Sequence, residues 1–180
     1  MYSPIGEAYQ KGVSEKVRLP QRARQTCDLS GLGTKAEIEP DLAEWDYGDY
    51  EGQRSDEIFK QRAGWNIFRD GCPNGEMPEQ VSMRADRLIA HLNTLKGNVA
   101  LFSHGQFGGV LAARWIGLAL PEATHFPLDT ASVSILRYDP RHEDVAVIAL
   151  WNWRAIPGGC EGPVPSQNYD RTTGDDMVSD

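Results

Sequence analysis

VALFSHGQFGGVLAARWIGL, residues 99–118, decides the fold of this 180-residue chain. Val99–Ser103 is a continuous apolar run that follows Gly97-Asn98, the pattern expected of a strand buried on both faces. Val110–Leu118 is apolar nearly all round and predicts a buried helix. Between them His104–Gly109 forms a glycine-rich connection. Strand, glycine loop and helix make an α/β unit, and a strand buried on both faces implies a parallel sheet.

Upstream, Met77, Val81, Ala85, Leu88, Ile89, Leu92 and Leu95 recur at three- and four-residue steps, so a long amphipathic helix is expected, with Gly97 as its C-cap. Its Arg84 and Arg87 are assigned to the solvated face. Earlier still, Gly64–Glu76 reads as a glycine-punctuated loop with aromatic anchors, Arg54–Arg62 as a helix, and Glu44–Gly52 (EWDYGDYEG) as a loop too dense in acids, aromatics and glycine for a regular element. A brief strand is expected at Ala36–Ile38 and a short helix over Gln21–Leu29, ended by Gly31 and Gly33. Downstream, Ala131–Tyr138 and Val145–Trp151 flank a turn and predict an antiparallel pair at a sheet edge. Residues 1–20 show neither period and read as an irregular segment; residues 155–180 are Gly, Pro, Ser, Asp and Thr and read as a disordered tail. One domain, 21–154, remains.

Bulk properties narrow the classes. A formal charge of −8 argues against nucleic acid, though a locally positive pocket can still take a small anion. The three cysteines, Cys27, Cys72 and Cys160, form no CxxC pair and read as reduced thiols, with neither zinc nor disulfides indicated. No apolar run approaches the roughly 18 residues of a membrane span, and the N-terminus has no apolar signal core. Cytoplasm is the simplest location.

The candidate chemistry starts at Ser103-His104-Gly105, a strand end followed by a helix start. Ligands of α/β folds gather beyond the carboxyl ends of strands, and helix N-termini offer N–H groups to anions, so a phosphate site is expected at His104 and Gly105. Arg22 and Arg24 lie about 200° apart on a helix, so only one of them can face a given pocket. Glu44 stands beside Trp45 and Tyr47, and an apolar wall suits a carboxyl to donating a proton near neutrality. His91, His125 and His142 read as boundary, structural and solvated residues.

QRARQT, EWDYGDYEG, GWNIFRDGCPNGE and LFSHG, in this order, resemble the histidine phosphatase superfamily over about residues 19–154, closest to the branch with sedoheptulose-1,7-bisphosphatase. The resemblance implies a three-layer α/β/α sandwich with a mostly parallel sheet, of the phosphoglycerate mutase type. It also implies a phosphomonoesterase that uses no metal or cofactor and works through a phosphohistidine on a sugar-phosphate-like metabolite. By the same resemblance Arg22 is a phosphate ligand, Glu44 the proton donor, and His104 the second histidine of the phosphate pocket, with Gly105 beside it. The family's Arg-His-Gly motif, which carries the nucleophilic histidine, has no counterpart before Arg22, and no histidine precedes His91. The N-terminal strands are therefore expected to be missing or replaced, leaving open edges that favour a homo-oligomer. The family often carries an arginine five residues after the second histidine, where this chain has Gly109. An impaired phosphatase is the expectation; the alternatives are a phosphometabolite-binding module without catalysis, or a truncated gene product without function.

Overall fold

A computed structural model describes residues 21–154. The irregular segment 1–20 and the tail 155–180 lie outside the described residues. Five helices and one hairpin follow in chain order: α1 (Gln21–Leu29), α2 (Ser55–Gln61), α3 (Ile67–Asp70), α4 (Pro78–Leu92), α5 (Gly105–Trp115), β1 (Val133–Asp139) and β2 (His142–Trp153), with short 3-10 turns between them.

Helix α4 follows its pattern but ends at Leu92, with Asn93 and not Gly97 as its C-cap. Pro78 opens α4 at a position whose N–H has no helical partner, and the Gln80 side chain accepts from Met77 N at 2.8 Å. One stripe of α4, Val81, Ala85 and Leu88, is fully buried against Phe107, Val110 and Leu111 of α5 and the aromatic anchors of the preceding loops. Those anchors meet edge-to-face: Trp45 with Phe68 at 5.9 Å between centroids, and Tyr50 with Trp65 at 5.4 Å. The 44–52 loop can lie against the 71–76 loop because Gly48, at φ +51°, faces the backbone of Pro73 and Gly75 with no room for a Cβ. Asp49 N then donates to Pro73 O at 2.9 Å, and Glu76 N to Asp46 O at 2.9 Å.

Helix α5 begins at Gly105, five residues before the sequence pattern suggested, because His104–Gly109 is the helix's own first turn and not a separate loop. Gly109 is required there. A Cβ on it would stand 2.9 Å from Phe126 O and 3.3 Å from Ala123 O, so the Leu120–His125 turn packs directly on its backbone.

The expected hairpin is present as β1 and β2, antiparallel, with Leu136 opposite Ile148 and Tyr138 opposite Ala146. It is a two-stranded sheet by itself. Trp115 Nε1 fastens it to α5 through Val147 O at 3.2 Å, and Tyr138 Oη reaches Asn93 Oδ1 past the end of α4 at 3.0 Å. Two strand expectations are corrected. Ala36–Ile38 and Val99–Ser103 join no hydrogen-bonded ladder, and Val99 is 44% exposed. The apolar run of Val99–Ser103 reports a chain suited to burial, but a strand also needs neighbours, and β1 and β2 bond only each other. The segment is held instead by Leu101, packed on the core, and by Ser103 Oγ donating to Leu42 O at 2.8 Å. The mostly parallel sheet is accordingly absent among the described residues, where helices, loops and the hairpin make up the α/β domain. No described helix is long and apolar enough to cross a membrane.

Candidate functional site

The first turn of α5 organises the site. His104 is its N-cap residue and makes no side-chain cap, so the orphan N–H groups need another acceptor. Glu44 supplies it from a loop 60 residues away in sequence. Its carboxylate accepts from Phe107 N at 2.9 Å and Gln106 N at 3.3 Å, and from Trp45 N, its own neighbour, at 3.0 Å. The anion at this helix N-terminus is therefore a side chain of the protein itself, on two of the N–H groups expected to be open to a phosphate.

His104 lies half-buried beside that carboxylate. Burial pushes its pKa below the ordinary 6.5; Glu44 pulls it up, and Arg22 pushes it further down. The same interactions place Arg22, on α1, and Glu44 within electrostatic reach of the imidazole. Glu44 and His104 thus meet at the start of α5, with Gly105 as the exposed first residue of the helix, while Arg22, exposed on α1, acts on the imidazole through its charge. His91, His125 and His142 are exposed elsewhere, His125 standing 3.6 Å from Glu122.

Four side chains at the site, Tyr47, Gln106, Arg84 and Glu76, are not marked as site residues by the sequence pattern. Tyr47 is held with its phenol pKa raised to about 12, by burial first and then by the charge of Glu44, while its hydrogen bond with Gln106 works the other way. Tyr47 and Gln106 also line a cavity of about 160 Å3 walled by Phe59, Trp65, Ile67 and Phe68. Arg84 and Glu76 hold the Glu44 loop from the α4 side, Arg84 through the Asp41 and Ala43 carbonyls and Glu76 through Asp46 N. Arg84 was assigned to the solvated face, and this is corrected: it is 7% exposed and bonded bidentately to Glu76, Nε to Oε1 at 3.0 Å and Nη2 to Oε2 at 2.9 Å. The available signal was its spacing: Arg84 lies three residues after Val81 and four before Leu88, on the buried stripe. Arg87, one step round the helix, is exposed and pairs with Asp41 at 2.8 Å.

Residues 20–153 match the family model of the histidine phosphatase superfamily, branch 1. The chain is 38% identical over 132 residues to an acid phosphatase of Mycobacterium tuberculosis, a match covering 72% of this chain and 64% of that one. It is 36% identical over 124 residues to sedoheptulose 1,7-bisphosphatase of Saccharomyces cerevisiae, covering 55% of this chain and 46% of that one. The solved structure of an open reading frame product of Mycobacterium tuberculosis superposes with a TM-score of 0.69 at 35% identity, covering 74% of this chain and 68% of the other. The chain thus spans under two thirds of the length of both curated relatives, and its fold is that of this phosphoglycerate mutase-like α/β group.

Proposed function

The chain belongs to branch 1 of the histidine phosphatase superfamily, and on that premise we propose that it binds a phosphorylated small metabolite, of the sugar-phosphate class, between Arg22, His104 and the first turn of α5. The observation that carries this reading is the seating of the Glu44 carboxylate on the α5 N-terminus that His104 opens, with the charge of the exposed Arg22 acting on the imidazole. Arg22 supplies positive charge to the phosphate oxygens. His104, neutral near pH 7 because its pKa is lowered, offers one ring N–H to the phosphoryl group. When the phosphate takes its place on Gln106 N and Phe107 N, the freed Glu44 carboxylate takes up a proton from solvent and passes it to the departing alcohol. The name of the yeast relative, a sugar bisphosphatase, supports the substrate class.

Covalent transfer is the weak step. A phosphohistidine mechanism needs one imidazole in line with the leaving oxygen and others beside the phosphate, while His104 is the one histidine of this chain at the site. The proposal is therefore a phosphate-ester site whose turnover is impaired in this 180-residue chain. Calorimetry with a panel of sugar phosphates, beside turnover of p-nitrophenyl phosphate, tests it. Binding that is lost in His104→Ala, with turnover near the uncatalysed rate, is expected. A phosphorylated imidazole trapped during turnover would refute the impairment, and the absence of binding by folded protein would refute the site.

A further inference from the structure

The Arg84 guanidinium stands between the two halves of the site. Its Nη1 donates to Ala43 O at 2.6 Å and Asp41 O at 2.8 Å, and its Nη2 lies 3.5 Å from Glu44 O. The remaining donors clasp Glu76, and the side chain is 8% exposed. On its other face the guanidinium carbon sits 4.3 Å from the centroid of the Phe107 ring. Phe107 is fully buried, and its N–H donates to Glu44 Oε1 at 2.9 Å. One planar cation therefore holds the main chain leading into Glu44 and stacks on the residue that receives the Glu44 side chain.

We propose that Arg84 is a positioning residue that fixes the distance between the Glu44 carboxylate and the His104–Phe107 turn. The chemistry calls for arginine. Three backbone carbonyls, a bidentate carboxylate and an aromatic face surround one group, and only a planar fork with five N–H donors addresses all of them. A lysine keeps the charge but has neither the second parallel bond to Glu76 nor a flat face for Phe107. Glu76 acts on the same unit, because its Oε2 also accepts from Asp46 N at 3.0 Å, two residues beyond Glu44.

This inference rests on the reading of Glu44 and His104 as the site, but its test does not require a ligand. The readout is the titration of the His104 imidazole, followed by NMR in the full chain, with the amide signals of Gln106 and Phe107. The charged groups acting on that ring are Glu44 from the loop and Arg22 from α1. Arg84→Lys is expected to move the His104 midpoint down, by no more than Glu44→Gln does, because a displaced carboxylate supports the imidazolium less and an absent one not at all. The double variant should move it no further than Glu44→Gln alone. Glu76→Gln keeps an amide oxygen for the guanidinium but loosens the fork, and should move the midpoint the same way by less; it carries the test if Arg84→Lys does not fold. An unchanged midpoint and unchanged amide signals, in a variant whose unfolding midpoint has dropped, would reduce Arg84 to a buttress and overturn the proposal. Titration with inorganic phosphate separates the two readings: wild-type protein that binds none yet shows the shifts keeps the positioning role and loses the phosphate site.

Discussion

Glu44→Ala isolates the clamp that joins the 44–52 loop to α5. The variant removes the acceptor of Phe107 N, Gln106 N and Trp45 N in one change, and takes an anion from the positive end of an 11-residue helix. Loss of an N-terminal capping acceptor costs about 0.5–2 kcal/mol, and loss of an anion beside the helix dipole about 0.3–1 kcal/mol. The site is half-buried, so water recovers part of the loss; a net destabilisation of about 1–2 kcal/mol follows. For a domain of this size that lowers the melting temperature by roughly 3–8 °C.

The informative part is what added phosphate does. In the wild-type chain phosphate must displace Glu44 from two N–H groups, whereas in the variant those groups are vacant. Phosphate should therefore stabilise Glu44→Ala more than wild type, by RT ln(1 + [L]/Kd), which is about 1.4 kcal/mol when phosphate reaches roughly ten times its dissociation constant. Urea unfolding of both proteins at matched ionic strength, in chloride and in phosphate, gives the four numbers needed. Equal phosphate effects in the two proteins would show that Glu44 and the anion do not share the α5 terminus, and the account of the site would fall with that result.

Three further outcomes follow from single residues. His104 has a folded pKa below the 6.5 of the unfolded chain, so the unfolded chain takes up the proton first as pH falls. That contribution to stability is complete above about pH 6.5 and declines below it until the folded midpoint is passed; His104→Gln should flatten this decline in urea midpoints measured at about pH 7.5 and 5.5. Cys72 is 1% exposed and its thiol is pushed up to about 11 by burial and then by Asp46, so an alkylating reagent near pH 8 should reach it only at the rate of opening, read by mass spectrometry. Labelling of Cys72 as fast as a free thiol would refute the packing of the 71–76 loop. Gly109→Ala should cost about 1–3 kcal/mol, because its Cβ meets the Phe126 carbonyl at 2.9 Å, while Gly105→Ala, whose nearest neighbour stands at 3.6 Å, should change thermal stability little. Equal melting temperatures for the two variants would refute the close approach at Gly109.

Those residues also show where the sequence is legible. The period of 3.6 located α4, an all-round apolar run the interior of α5, the glycines at 31 and 33 the end of α1, and two apolar runs about a turn the strands of the hairpin. Each of these signals is local, and local periodicity survives whatever surrounds the element. Val99–Ser103 failed for the opposite reason, since a strand is a relation between segments and its partner cannot be read from its own residues. Arg84 was misplaced because charge was allowed to outrank position, although its place on the buried stripe of α4 was visible. The capping of α5 by Glu44 was not legible at all: it joins two residues 62 or more positions apart, and only the missing cap at His104 hinted that an acceptor had to come from elsewhere.

The source of the site's precision follows from the same facts. Glu44 lies on a loop, and loops ordinarily place side chains less exactingly than helices or central strands. Here the loop is bound at three points: Trp45 Nε1 on Glu76 O at 2.9 Å, the Asp41 and Ala43 carbonyls on Arg84, and the Glu44 carboxylate on α5. A buried ion pair adds little net stability, yet removing one partner costs about 3–5 kcal/mol, because the other charge is left stranded. Such a pair is a poor choice for strengthening a domain and an effective one for allowing only one arrangement of it. Arg84 and Glu76 thus serve the site by making every displaced position of the Glu44 loop expensive. That is how a domain whose described strands form one hairpin can still hold the Glu44 carboxylate on the helix turn that His104 opens.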